Sequence, residues 1–264
     1  MDMIIKENLS ASRLRELIRD GQWKTATTGA APGYVQANLV MLPRDWAFDF
    51  LLFCVRNPKP CPILDVLEPG QWEPKIAKSA DLRTDLPRYR VYKAGKFAEE
   101  TEDVTDLFGD DMVSFLLGCS FSFESALIAA GVPVRNLEEE KNVSMYITNR
   151  DCITAGPFSA PLVVSMRPMT PEQAVRAVQV TTRFYLTHGA PVHLGAADEI
   201  GVGDLGQPDF GDSVTILPGE IPVFWACGVT TILAATSTDL PMVITHSPGH
   251  MFVSDMRDED LTVL

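Results

Sequence analysis

Cationic side chains are scarce in this sequence: 22 lysines and arginines stand against 35 aspartates and glutamates, a net charge of -13. A surface of that sign repels polyphosphate and anionic lipid, which excludes nucleic acid and membrane as main partners. It leaves room for a small anionic ligand, because a few local arginines or lysines can dominate one cleft. Cysteine is also sparse. Cys54, Cys61, Cys119, Cys152 and Cys227 are odd in number and contain no CxxC pair, so neither a disulfide framework nor a zinc knuckle is supported. Long apolar runs are missing, and stretches such as residues 223–227 fall far short of a membrane span. The start, MDMIIKENLSASRLREL, has neither the apolar core of a signal peptide nor the arginine-rich, acid-poor look of a transit peptide. A cytoplasmic protein is expected. No Walker loop, HExxH or GxSxG occurs, and GVGDLG at 201–206 is followed too soon by Pro208 and Gly211 to open a nucleotide-binding helix.

What is present is an ordinary globular composition, 46% hydrophobic and 22% charged. The length suits one large domain or two intertwined smaller ones. Ser10 is placed as an N-cap, Leu9 and Leu14 as a hydrophobic staple and Gly21 as a stop, so residues 11–20 form an amphipathic helix. Residues 45–55 (DWAFDFLLFCV) read as a buried helix, and residues around 111–117 as another helix. A further helix covers 123–130, stopped by Gly131 and Pro133, and a weak one covers 230–235. Thr170 and Gln173 form a capping box with Pro171 at the first position, predicting a helix over 171–186. Strands are predicted at 34–42, 63–67, 89–92, 96–98, 143–147, 162–166, 192–194, 214–217, 223–226, 242–245 and 251–255. The expectation is an α/β (mixed α+β) protein with helices packed on mixed sheets.

Four polar, Pro/Gly-punctuated loops are candidates for chemistry. In RNPKPCP (56–62), Arg56, Asn57 and Lys59 sit on a rigid loop that could clamp a carboxylate or simply cap the preceding helix. In GCSFSFE (118–124), Ser120 or Ser122 could cap a helix whose N-terminus takes an anion. Cys119 could have thiolate character there, and Glu124 could serve as general base or complement the helix dipole. In NVSMYITNR (142–150), Asn142, Ser144, Tyr146 and Thr148 share one strand face beside Asn149, a pocket wall or a solvated edge. The four histidines pair as His188 with His193 and His246 with His250. Pro191 and the Pro248–Gly249 turn remove helical spacing, so proton transfer suits them better than metal binding.

The segments APGYVQANLV, RNPKPCP, DLRTDLPRYRVY, FLLGCSFSFE, GPFSAPLVVSMRP, HGAPVH, PDFGD, PVFWACGVT and THSPGHMF run in this order through nearly the whole chain. Together they resemble the D-glutamate cyclase family. The resemblance implies a mixed α/β fold of two intertwined αβ subdomains, not a common superfold, making a single unit over residues 1–264. It also implies a hydro-lyase reaction, loss of water from D-glutamate to give 5-oxo-D-proline. On that chemistry Glu124, His246, His250 and Cys119 are the candidate catalytic residues. Arg56, Asn57, Lys59, Ser120, Ser122, Tyr146 and Asn149 are the candidates for binding a small anionic amino acid. No cofactor is required by the sequence; a divalent metal could polarise the γ-carboxyl but nothing demands it. The state of assembly is open, a homo-oligomer included. A non-catalytic binder of a small amino or organic acid, and a hydro-lyase acting on a hydroxy acid, are the competing readings.

Overall fold

Ser10 opens the first helix as its position requires: its Oγ accepts the Arg13 N–H at 3.2 Å. Helix α1 (Ala11–Arg19) turns Ala11, Leu14, Leu17 and Ile18 onto a small core with Trp23 and Val253. The computed structural model describes residues 9–262, so the reading of the first eight residues as lacking a leader lies outside the described residues.

Strand β1 (Tyr34–Pro43) is buried along almost its whole length and forms the middle of the larger sheet. On one side it pairs with β5 (Met112–Gly118), which pairs in turn with β2 (Ile63–Val66). On the other side its two ends have different partners. Val40 and Met41 face β10 (Val243–His246), whereas Tyr34, Gln36 and Ala37 face β11 (Phe252–Arg257). The hairpin of β3 (Tyr89–Lys93) and β4 (Lys96–Thr101) extends the sheet beyond β10. The chain then builds a second sheet from β6 (Ser144–Asp151), β7 (Pro161–Met169), β8 (His193–Leu194) and β9 (Ile221–Ala226), in the order β6-β7-β9-β8. It returns to the first sheet only with β10 and β11, which ties the two halves together.

The larger sheet is covered on both faces. Val40, Leu42, Phe115, Leu117 and Val243 pack against Phe50 and Phe53 of α2 (Arg44–Arg56) and against Phe158. Phe50 meets the edges of Phe115 and Phe158 at 4.9 and 5.2 Å. The short helices α3 (Glu124–Ala129) and α4 (Arg135–Glu138) lie between β5 and β6 in the chain, and helix α6 (Val229–Thr236) lies against β1, β7 and β10, and so bridges the two sheets. The opposite face, with Leu39, Met41, Val91 and Ile244, is closed by Ala77, Ala80, Leu82 and Leu86 from an irregular segment.

The mixed α/β class is as expected, but every strand pairing among the described residues is antiparallel, not mixed. The helix expected near 111–117 is strand β5. Every residue of MVSFLLG is buried, and a short run that is apolar on all sides carries no periodicity to separate helix from strand. The segment expected as one helix over 171–186 gives α5 (Pro171–Thr181) with its capping box. Thr181 and Thr182 then turn their hydroxyls back onto the carbonyls of Ala177 and Val178, and a 3-10 turn (Tyr185–Thr187) follows. Residues 214–217 form no strand. Among the described residues no helix is long and apolar enough to cross a membrane.

Candidate active site

Where α6 and the ends of β1 and β5 meet the second sheet, the packing leaves a cavity of about 110 Å³. The first sheet contributes Asn38, Arg90, Tyr92, Thr245 and His246. The second half contributes Val143, Met145, Phe210, Cys227, Val229 and Leu233. Cys119 and Ser120 stand at the bend between the halves, and Asn142, Pro248, Gly249 and Met251 complete the rim. One wall is therefore polar and the other apolar.

The split partnership of β1 explains His246. Between the residues paired to β10 and those paired to β11, the Leu39 N–H has no strand carbonyl opposite it. A buried amide must find an acceptor, and the Nδ1 of His246 takes it at 3.2 Å. Burial lowers the pKa of His246 to about 4, so the ring is neutral near pH 7. The Leu39 carbonyl lies farther from Nδ1, at 3.5 Å, so the amide contact sets the tautomer: Nδ1 accepts and the hydrogen of the neutral ring sits on Nε2.

The same hydrogen-bond accounting fixes the other polar groups. Asn38 Nδ2 donates to the Gly118 carbonyl at 2.9 Å and lies 3.4 Å from that of Leu117. Two carbonyls can only accept, so the amide orientation is settled and Oδ1 remains the acceptor. Gly228 permits this: a Cβ there would lie 2.2 Å from Asn38 Nδ2. Asn142 Oδ1 accepts the Val143 N–H at 3.0 Å, leaving its Nδ2 as donor. Arg90 supplies the positive charge. Its Nε donates to Glu100 Oε1 at 2.8 Å, an oxygen that also accepts from Ser247 Oγ at 3.0 Å. The bond from Arg90 holds the Glu100 carboxyl below its usual range.

Behind Ser120 lies a fully buried ion pair. Arg167, on β7, donates from Nη2 to Glu124 Oε1 at 2.5 Å and to Ser120 Oγ at 3.2 Å. Its guanidinium carbon sits 5.4 Å from the Phe123 ring centre and 5.5 Å from that of Trp225. Burial pushes the Glu124 carboxyl up, and the Arg167 charge pulls against it. Glu124 is therefore one residue removed from the cavity, with Ser120 in front of it. Cys119 does line the cavity, but burial raises its thiol to about 12, far from thiolate character.

The remaining expected site residues lie elsewhere. Arg56 Nη1 donates to the Thr154 carbonyl at 2.5 Å, and Lys59 Nζ donates to that of Ala190. Asn57 donates to the Phe53 and Ile153 carbonyls, each at 2.8 Å, and accepts the Ile153 N–H. These three residues brace the end of α2 and do not line the cavity, so the carboxylate clamp expected there is not part of it. Ser122 Oγ accepts the Gln36 N–H at 3.2 Å. Neither Ser120 nor Ser122 caps the short helix α3 (Glu124–Ala129), which starts after a 3-10 turn without a side-chain cap. Tyr146 donates to the Leu205 carbonyl at 2.7 Å in a separate hollow beside Asp204 and Asp209, and Asn149 packs on Gly201. His250 is bonded to the Pro248 carbonyl at 2.9 Å, near the rim but not lining the cavity. Among the described residues no group of three or more His, Cys, Asp or Glu side chains could hold a metal ion.

Asn38, Arg90 and Arg167 belong to none of the four polar segments that stand out in the sequence. Each is a polar residue in a strand whose neighbours are apolar and buried, and that contrast was the available sign.

The family described as D-glutamate cyclase matches residues 113–255. A provisionally named hydro-lyase of Geobacillus kaustophilus is 57% identical over 97% of this chain and 98% of its own. Another, from Stutzerimonas stutzeri, is 55% identical over 100% of both chains. A third, from Bacillus subtilis, is 56% identical over 95% of this chain and 98% of its own.

Proposed function

The chain belongs to the D-glutamate cyclase family, and from that premise we propose that it is a hydro-lyase that closes D-glutamate to 5-oxo-D-proline in the cavity between its two sheets. The observation that carries this reading is the fixed polarity of the cavity wall. Arg90 brings a cation, Ser120, Asn142 and the Nε2 of His246 are donors, and Asn38 Oδ1 is an acceptor. A molecule with two carboxylates and one amine complements that set.

In the cyclisation the nitrogen attacks the γ-carbon, a C–N bond forms and a C–O bond breaks. The two hydrogens that nitrogen loses leave with the oxygen as water. An ammonium cannot attack, and a carboxylate is a poor electrophile, so both groups must first become neutral. The apolar wall of Phe121, Val143, Met145 and Phe210 disfavours separated charges. It thereby promotes transfer of a proton from the α-ammonium to the γ-carboxylate of the same folded substrate. Arg90 anchors the α-carboxylate through its charge. Asn38 Oδ1 receives an N–H and aims the nitrogen. Ser120 and His246 then donate to the oxygen on which negative charge develops, the role of an oxyanion hole. Holding the chain of the substrate bent supplies the near-attack geometry. In this reading His246 acts as a neutral hydrogen-bond donor, where the sequence suggested proton transfer as acid or base, because its Nδ1 is committed to the backbone.

Incubation of the purified protein with D-glutamate, with 5-oxoproline followed by chromatography, tests the reading; L-glutamate is the control. Tight binding without turnover would make the protein a binder of small amino acids. Entry of solvent deuterium into the carbon skeleton of a hydroxy acid, with no 5-oxoproline from glutamate, would replace the cyclase by a carbon–oxygen lyase of another kind.

A further inference from the structure

Building on the reading of Ser120 as an oxyanion donor, we propose that Arg167 is a positioning residue: its bond to Ser120 decides that this hydroxyl gives its hydrogen to the cavity. A serine hydroxyl can donate or accept and rotates freely. The guanidinium has only hydrogens to offer, and its Nη2 occupies a lone pair of Ser120 Oγ at 3.2 Å. No other protein hydrogen bond reaches that oxygen among the described residues, so the hydroxyl hydrogen is directed to whatever the cavity holds.

The guanidinium is itself immobile. It is 0% exposed, its Nη1 donates to Ser165 Oγ at 3.2 Å, and Phe123 and Trp225 flank it. Trp225 is fixed in turn by its Nε1 bond to Thr181 Oγ1 at 3.1 Å. The arrangement links the halves: Arg167 stands on the second sheet, whereas Ser120 and Glu124 follow β5 of the first. Stability alone does not call for such a pair, because apolar residues of similar volume commonly stabilise a core as well as a buried ion pair does. Arg167 does not line the cavity; it acts through Ser120.

The test is a kinetic cycle of wild type, Arg167→Lys, Ser120→Ala and the double variant, with D-glutamate as substrate. Lysine keeps a charge for Glu124 but has no planar fork to serve Glu124, Ser120 and Ser165 together. Arg167→Lys is expected to lower kcat roughly ten- to a hundredfold with little change in KM, as loss of an aligned oxyanion donor does. In the Ser120→Ala background the same change is expected to cost nothing further. An equal loss in both backgrounds would overturn the proposal, because Arg167 would then act without Ser120. Should Arg167→Lys fail to fold, Arg167→Met combined with Glu124→Gln, which removes both buried charges together with the donor to Ser120, takes its place in the cycle. High-resolution crystal structures give a readout independent of activity. Ser120 is expected in one rotamer in the wild type and in several in the variant, and an unchanged single rotamer would overturn the proposal. If the wild type makes no 5-oxoproline, the cyclase reading falls, while the rotamer comparison still decides the role of Arg167.

Discussion

Two side chains carry most of the chemical argument at the residue scale, and each makes a separable prediction. His246 is buried and neutral, with Nδ1 held by the Leu39 amide. A donor of this kind acts in the transition state, so His246→Ala should lower kcat by about a hundredfold with a small change in KM. Its pKa of about 4 also means that the kcat/KM profile should show no limb from His246 between pH 6 and 7. A limb there that disappears in His246→Ala would restore the imidazole as a general base. Arg90 acts by charge in the ground state and the transition state alike. Arg90→Met should therefore raise KM roughly ten- to a hundredfold, the worth of a charge-assisted hydrogen bond, with kcat less affected. His246, the last residue of β10, was recognisable in the sequence because it pairs with His250 around the Pro248–Gly249 turn, and Ser120 and Cys119 because they stand in a polar segment between apolar elements. Arg56 and Lys59 were misplaced for the same reason, since a rigid cationic loop looks alike whether it faces a ligand or the carbonyls of Thr154 and Ala190. The partner that turns Ser120 into a donor is more than forty residues away on another sheet, and no local pattern reveals it.

At the scale of elements, the site depends on how closely one backbone approaches another side chain. Gly228, at the start of α6, leaves space for Asn38, and its φ of -62° is open to any residue. Gly228→Ala thus carries no conformational penalty of its own, but its Cβ would lie 2.2 Å from Asn38 Nδ2 and must displace that amide. The expected result is a protein that still folds, with a melting temperature a few degrees lower, and that loses at least tenfold in kcat/KM as Asn38 Oδ1 shifts. Calorimetry beside steady-state kinetics measures both; full activity would show that Asn38 does not aim the substrate. Elements with their own end signals were legible. Ser10 opens α1, and the capping box of Thr170 and Gln173 opens α5, both within a few residues of the sequence reading. Strand β5 was not, because its identity comes from its pairing with β1 across some seventy residues of chain, which no window of its own sequence contains.

The molecule as a whole records its buried titratable groups in the dependence of stability on pH. His188 and His246 are each lowered to about 4 by burial, and burial also lowers His250. In the unfolded chain these rings take up protons below about pH 6.5, whereas the folded state resists until a lower pH. Their contribution to stability is thus complete above pH 6.5 and is lost as the pH falls towards 4. Asp258 does the opposite. Burial raises its carboxyl to about 7; Ser125 donates to Oδ2 at 3.1 Å, but Oδ1 is buried with no hydrogen-bond partner among the described residues. The folded state holds that proton while the unfolded chain has released it near 4, so the contribution of Asp258 is present in acid and lost as the pH rises through 7. Between pH 4.5 and 6 the histidines and Asp258 oppose each other and flatten the curve. Asp258→Asn removes the opposing group without emptying its site. Its unfolding free energy should therefore fall more steeply towards acid than that of the wild type, by one proton or about 1.4 kcal/mol per pH unit. At pH 8, where the wild type must bury a charged carboxylate, the variant should be the more stable by about 1 kcal/mol or more. Urea titrations of both proteins across pH 4.5 to 8 measure the two slopes directly. Parallel curves would mean that Asp258 titrates alike in the folded and unfolded chains, and that the unpartnered oxygen reaches water.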